Sequence, residues 1–528
     1  MKKLLTVILA LLVLSIAVDA QKEGLSSINQ NDLKAYMTFF ASDELKGREM
    51  GTEANETAAL YLKTNLMRLG LKPLPETGEY FQKIPLKSKE ISKKETLLKI
   101  KNSNGDLIFS TDSLVYLMPP SETMEVSGNI VFAGYGYEDT ISGYSDLKDV
   151  DLKGKIVIIM TRNPEMASHD EGNGLFDSET EEPKLGLVFS KEPGAIFYVY
   201  DPKSKFSDAY TSGLADMVAG QPGDKTFSVK NQADNSVPIQ LAFITQHTAD
   251  RMLKTTGYNL KQMQERINTG GKPVSTEIPD ITATFKTGID TTHIICPNVI
   301  GIVEGSDPVL KNECVIYSAH FDHEGINNKG ELFNGADDNA SGSMALLEVA
   351  EAFSNLKKKP LRSIVFAWVN GEEKGFLGSQ YYADNPVIPM AKTLLDINLD
   401  MVGRSKMPSD TGKFMGFDLS VTQPGEILVY TAHESTELLK MMSSISEKAN
   451  IKVLDMGKDL PIGSSDHVSF MAKGVPALFF HSGIHSDLHT INDNVEKIDF
   501  DKMEKVSKMI YLLGYNVANQ RERIRIDK

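Results

Sequence analysis

The sequence predicts an α/β protein: a three-layer αβα domain on a mixed sheet, interrupted by a β-rich insert. Three observations carry this. Strongly apolar runs such as CVIYSA (314–319), SIVFAWV (363–369) and VPALFFH (475–481) read as strands covered on both faces. Segments with helical spacing alternate with them. Between about 125 and 275 the texture changes to short β-like runs separated by Gly, Pro and acidic residues. With 528 residues and 41% apolar content, the chain has material for two or three domains.

The first element, residues 1–20, is MKKLLTVILALLVLSIAVDA. Lys2 and Lys3 precede the apolar run Leu4–Val18, and a small-residue end closes it, the layout of a cleavable secretory signal. The expectation is an exported chain, periplasmic or extracellular, that begins near Gln21 and keeps no stable membrane anchor. Residues 21–124 read as the N-terminal part of the main domain. Leu33, Met37 and Phe40 share a helical face; Ala59, Leu62, Leu66 and Leu69 share another, ended by Gly70 as a C-terminal cap.

Residues 125–275 form the insert, with GNIVFAGYGY, GKIVIIM, GAIFYVY and VPIQLAFI as its strands. Its acid-rich loop, DEGNGLFDSETEE (170–182), fits no EF-hand spacing and reads as a solvated loop. Residues 276–528 return to the main domain. Val299–Glu304 and Glu313–Ala319 are expected to pair as a hairpin about Asp307-Pro308, which sets position 314 opposite roughly 302. Cys296 and Cys314, the two cysteines, are therefore expected to be free thiols. The formal charge of −15 argues against a nucleic-acid partner. Nothing in the sequence fixes the oligomeric state.

In open α/β sheets, ligands bind beyond the carboxyl ends of the strands. The run CVIYSA leads to His320-Phe321-Asp322-His323, and GADDNASG (335–342) follows. SIVFAWVNG delivers Glu372-Glu373, INLD ends in Asp400, and VPALFFHSG leads to His485 and His489. Six of the ten histidines cluster here: 320 and 323 in the first of these segments, 481, 485 and 489 in the last, and 467 just before it. Imidazole and carboxylate without thiolate suit zinc, with cobalt or manganese as substitutes. Surplus carboxylate lets one group bridge two ions, which at about 3.5–4 Å apart can share a hydroxide and polarise a carbonyl. Adjacent residues in a turn project differently, so one of Glu372 and Glu373 can hold a metal while the other acts as general base. A lone Glu-Glu pair is ordinarily a solvated surface; ordered strand ends each bearing such residues are not.

These blocks also carry a resemblance. SAHFDH, GADDNASG, NGEEKGFLGS, NLDMVGR and GSSDHVSFMAKGVP with HSDLHT resemble the signatures of the M28 family of zinc aminopeptidases. ASDELKGREMGTEANETAALYL (41–62) resembles that family too, and 125–275 resembles the protease-associated (PA) domain inserted in many members. The resemblance implies two zinc ions: His320 and Asp400 on one, Glu373 and His489 on the other, Asp338 bridging. It implies Glu372 as the base in an aminopeptidase that hydrolyses peptides with hydroxide activated at the metal pair. It also implies that Asp322 bonds the far nitrogen of His320 and fixes its tautomer. Spacing alone leaves Asp337 against Asp338, and His485 against His489, open. His467 and His485 are candidate substrate contacts. One departure is Leu488, where many relatives have a tyrosine able to stabilise the oxyanion; leucine cannot donate.

Two other readings share this fold. A glutaminyl-cyclase-like acyltransferase would use one zinc, and a metal-free binding protein none, so metal content separates them. A serine hydrolase is disfavoured because Gly-x-Ser-x-Gly is absent and Ser465-Asp466-His467 are contiguous.

Overall fold

The computed structural model describes residues 21–102, 105–109, 114–118, 120, 122–164, 178–204, 225–230, 240–327, 329–414, 417–431, 435–457 and 465–527. The signal-like segment 1–20 and residues 170–177 of the acid-rich loop lie outside them. The chain divides into two compact units, one of residues 1–86 with 293–528 and one of residues 87–292.

In the first unit the sheet strands lie in the order Phe81–Ile91, Ile289–Val303, Ser363–Val369, Cys314–His320, Thr393–Leu399, Ala477–His481, Glu426–Thr431, Lys452–Asp455. The core strands are buried at every position because alternate side chains enter two different cores. Val315, Tyr317 and Ala319 pack with Ile364, Phe366 and Trp368 against the helices Gln30–Phe40, Glu53–Arg68, Gly342–Asn355 and Phe500–Asn519. Cys314, Ile316, Val365, Ala367 and Val369 face Tyr382 and Phe470, from the short helices Leu377–Asp384 and His467–Met471. Three layers result. The helix faces read from spacing are the buried ones: Leu33, Met37 and Phe40 in one helix, Ala59, Leu62 and Leu66 in the next. Asn29 and Thr52 cap their first turns, and Gly70 follows the second helix at φ +70°, where a side chain would be strained.

One expected pairing is corrected. Ile289–Val303 does not pair with Cys314–His320; Ser363–Val369 lies between them, antiparallel to the former (Val299 opposite Trp368) and parallel to the latter (His320 beside Val369). The turn at Asp307 exists nonetheless, its carboxylate accepting from the Val309 and Leu310 amides at 2.9 and 3.0 Å. Local turn chemistry does not decide which strand the chain joins next. Cys296 and Cys314 are free, on strands kept apart by a third.

The second unit extends beyond the 125–275 stretch at both ends. Its eight-stranded sheet runs Gly105–Phe109, Leu97–Asn102, Thr276–Thr287, Met124–Phe132, Ile156–Met160, Ala195–Val199, Gln240–Ile244, Leu114–Met118. Apolar cores lie on both faces, so this unit too is a covered α/β sheet. The strands before 125 escape notice in the sequence because they alternate with lysines, as in LLKIKN (97–102).

Candidate metal centre

The strands Cys314–His320, Ser363–Val369, Thr393–Leu399 and Ala477–His481 are mutually parallel. Their carboxyl ends therefore share one edge, and the polar residues that follow each strand converge there. His320 Nε2 lies 3.4 Å from Asp338 Oδ1 and 3.3 Å from Asp400 Oδ1. His489 Nε2 lies 3.0 Å from Asp338 Oδ2 and 3.3 Å from Glu373 Oε2. One oxygen of Asp338 thus faces each histidine.

The donor set fits zinc. Four N or O ligands at 2.0–2.1 Å in a tetrahedron stand roughly 3.3 Å apart, the spacing found around both histidines. His320 Nε2 and Asp400 Oδ1 are buried without a hydrogen bond, as two atoms reserved for a shared cation would be. Ligand atoms of His320, Asp338 and Glu373 lie within 4.8 Å of one another, as do those of His320, Glu372 and Asp400, and those of Glu324, Glu373 and His489.

The two adjacent glutamates diverge as the turn geometry requires. Glu372 joins the His320 and Asp400 side, Glu373 the Asp338 and His489 side. Their electrostatics diverge too. Burial, with Glu373, Asp400 and Asp466 nearby, pushes the Glu372 carboxyl well above the usual range, His320 opposing. Burial and Asp338 also disfavour the charged form of Glu373, but His489 and His323 outweigh them and hold it down at about 2. Paired acids driven apart in this way are suited to separate tasks.

The loop bearing Asp338 is held from behind. Asp493 accepts the Asp337 and Asp338 amides at 3.0 Å. Asp337 turns away from the cluster, accepting from the Gly403 amide at 2.7 Å and standing 3.3 Å from His485 Nε2. Asn339 donates to the Leu399 carbonyl (2.9 Å) and accepts from the Met401 amide (3.2 Å), tying this loop to the one that carries Asp400. Asp322 is fully buried, and its carboxylate accepts the Glu372 amide at 3.3 Å. Its Oδ1 stands 3.8 Å from His320 Nδ1, whose nearer partner is the Asp322 backbone carbonyl at 3.3 Å. The expected contact thus involves this residue's main chain.

His485 needs correction as a substrate contact. Its ring is completely buried against Asp337, and its Nδ1 accepts from the Asp487 amide (3.2 Å), so it offers no surface to a ligand. His467 is also buried, stacked on Phe479 at 4.7 Å; burial holds its pKa down at about 4, with Asp400 opposing. Leu488 is buried.

Sequence reasoning missed Arg48. Its guanidinium is wholly buried and donates to four carbonyls: Phe321 (3.0 Å), Phe40 (2.8 Å), Asn334 (2.7 Å) and Gly335 (3.0 Å). It clamps together the loops that carry His320 and Asp338. Burial lowers its pKa to about 10, against the raising influence of Asp338, Asp322, Asp493 and Glu373. Only its place in the block at 41–62 marked it out.

Comparison with known proteins bears on this geometry. Residues 298–513 match the model of peptidase family M28. Leucine aminopeptidase 1 of Trichophyton rubrum is 30% identical over 224 residues, 40% of this chain and 56% of that protein. Aminopeptidase YwaD of Bacillus subtilis is 25% identical over 242 residues, 44% of this chain and 47% of that one. The chain spans about half the length of the curated relatives it matches. Two solved structures share the fold: an aminopeptidase from Aneurinibacillus sp. strain AM-1 (TM-score 0.57, 19% identity, 96% and 98% of the two chains) and a zinc aminopeptidase from Bacillus subtilis (0.51, 18%, 93% and 95%). Every ligand candidate lies within residues 298–513, the segment that matches the peptidase family M28 model.

Proposed function

We propose that the protein is an exported, two-zinc aminopeptidase that removes N-terminal residues from peptides. The observation that carries this reading is Asp338, whose two oxygens face different histidines at 3.4 and 3.0 Å. A carboxylate with one oxygen toward each histidine is placed to bridge two cations. His320 and Asp400 would hold one and Glu373 and His489 the other, a full set that neither a one-zinc cyclase nor a metal-free binding protein requires.

Bound there, zinc would polarise the scissile carbonyl and make hydroxide available near neutral pH. The chain's own residues do the rest. Glu372, free of the Asp338 and His489 side, takes the proton from the attacking water and passes it to the leaving amine. A carboxyl pushed upward by burial suits that return step. Asp322 holds the Glu372 amide and so fixes where the base points.

Export is part of the same proposal, supported by the signal-like residues 1–20. Among the described residues no helix is long and apolar enough to cross a membrane. We also assign residues 125–275 to a PA-like insert, supported by the resemblance and by a separate core in the 87–292 unit.

The test is a panel of amino-acid p-nitroanilides and N-blocked peptides, run with and without chelator, alongside zinc content. Cleavage of free-amine substrates, lost on chelation and restored by zinc, with two ions per chain, is expected. Hydrolysis that survives complete metal removal would overturn the reading.

A further inference from the structure

His323 is the one histidine of the SAHFDH block that the proposed mechanism leaves without work. It is fully buried, so it touches neither solvent nor substrate. Its Nδ1 lies 2.8 Å from Glu373 Oε1, a short charge-assisted hydrogen bond. Glu373 therefore has one oxygen engaged on each side, Oε1 by His323 and Oε2 facing His489 at 3.3 Å.

Glu373 needs such a partner. It sits on the turn after Ser363–Val369, not within a strand, and a long acidic side chain loses rotamer entropy when fixed. His323 is itself tightly held. Its amide donates to the Arg48 carbonyl at 3.4 Å, and its ring lies against Gly335 so closely that an added Cβ there would stand 2.3 Å from it. The His489 ring meets it edge-on at 5.8 Å.

We infer that His323 is a positioning residue for the second ion: it pins Oε1 of Glu373 and so turns Oε2 toward the Asp338 and His489 side. The inference rests on the two-zinc reading above. It also separates the two halves of the centre, because among the described residues the hydrogen bond from His323 reaches only the Glu373 half. Its Nδ1 stands 3.7 Å from Asp338 Oδ2, close enough to raise a rival role as a direct ligand.

Two variants distinguish these. His323→Leu removes the donor; His323→Asn keeps an N–H near the position of Nδ1 but offers no ring nitrogen to a metal. Stepwise zinc affinity is measured by calorimetry on the full chain, with cobalt absorption spectra and melting temperature as parallel readouts. In His323→Leu the affinity for one ion should fall about 10–100-fold while the other is unchanged, and His323→Asn should restore most of the loss. Two ions bound as tightly by His323→Leu as by wild type would overturn the inference alone. Equal loss in both variants would overturn it in favour of a direct ligand. A wild-type chain with fewer than two ions would bring down the two-zinc reading, and this inference with it.

Discussion

Glu372 and Glu373 are neighbours in the chain that look into different halves of one cluster, so their substitutions should fail differently. Glu372→Gln is expected to keep two zinc ions and the fold while losing about 10²–10⁴-fold in kcat, the usual worth of a positioned base. Glu373→Ala should lose an ion outright. Zinc content measured beside p-nitroanilide turnover checks both, and full activity in Glu372→Gln would exclude it as the base. Arg48 makes a different kind of demand, since its removal strands four carbonyls, three of them buried. Arg48→Met should destabilise by roughly 3 kcal/mol or more, and Arg48→Lys, with charge but no planar fork, should recover only part of that in urea unfolding. Little of this was legible beforehand. Spacing marked Asp337-Asp338 as a pair yet could not rank them, because what separates them is His485 and the Gly403 amide, distant in sequence, which hold the Asp337 carboxylate. His323 and Arg48 act through partners 50 and 273 residues distant in sequence, for which no local pattern exists.

At the scale of elements, the loop from Gly335 to Ser341 decides whether the centre assembles. Gly335 has φ +57°, and a Cβ on it would stand 2.1 Å from the Asp338 carbonyl. Gly335→Ala is therefore expected to displace Asp338 and weaken zinc binding at both positions, with a lower melting temperature; unaltered zinc affinity would show that the loop is not under this constraint. The strands and helices were readable because their causes are local: two-face burial makes continuous apolar runs, and one-face burial makes helical stripes. Strand order was not. The run at 363–369 enters between Ile289–Val303 and Cys314–His320 after the helix Gly342–Asn355, a long-range choice that an Asp-Pro turn cannot announce.

Across the whole molecule, metal should act on the first unit, whereas pH reaches the second as well. Zinc held as proposed would bind the folded centre of the first unit, so dialysis against chelator should lower its melting temperature. Free zinc at a thousandfold over Kd contributes about 4 kcal/mol, and no change on chelation would argue against a structural contribution. In the second unit Asp146 is buried, accepting from the Tyr135 and Tyr137 amides and the Tyr144 hydroxyl. Burial raises its pKa from 3.8 to about 6, against those hydrogen bonds. The folded state thus favours the protonated acid: its contribution is complete below 3.8 and is lost as pH rises through 6, on the order of 2–3 kcal/mol. Wild type should lose stability relative to Asp146→Asn between pH 4 and 7; parallel melting curves would refute this. The two unpaired cysteines have one more use. Cys296 and Cys314 are sealed in the sheet of the first unit, their thiols pushed up to about 12 by burial, so a maleimide meets no thiolate until that sheet parts. Their alkylation is thus a built-in clock for opening of the unit that bears the metal centre, readable in native buffer without a dye or an added tag.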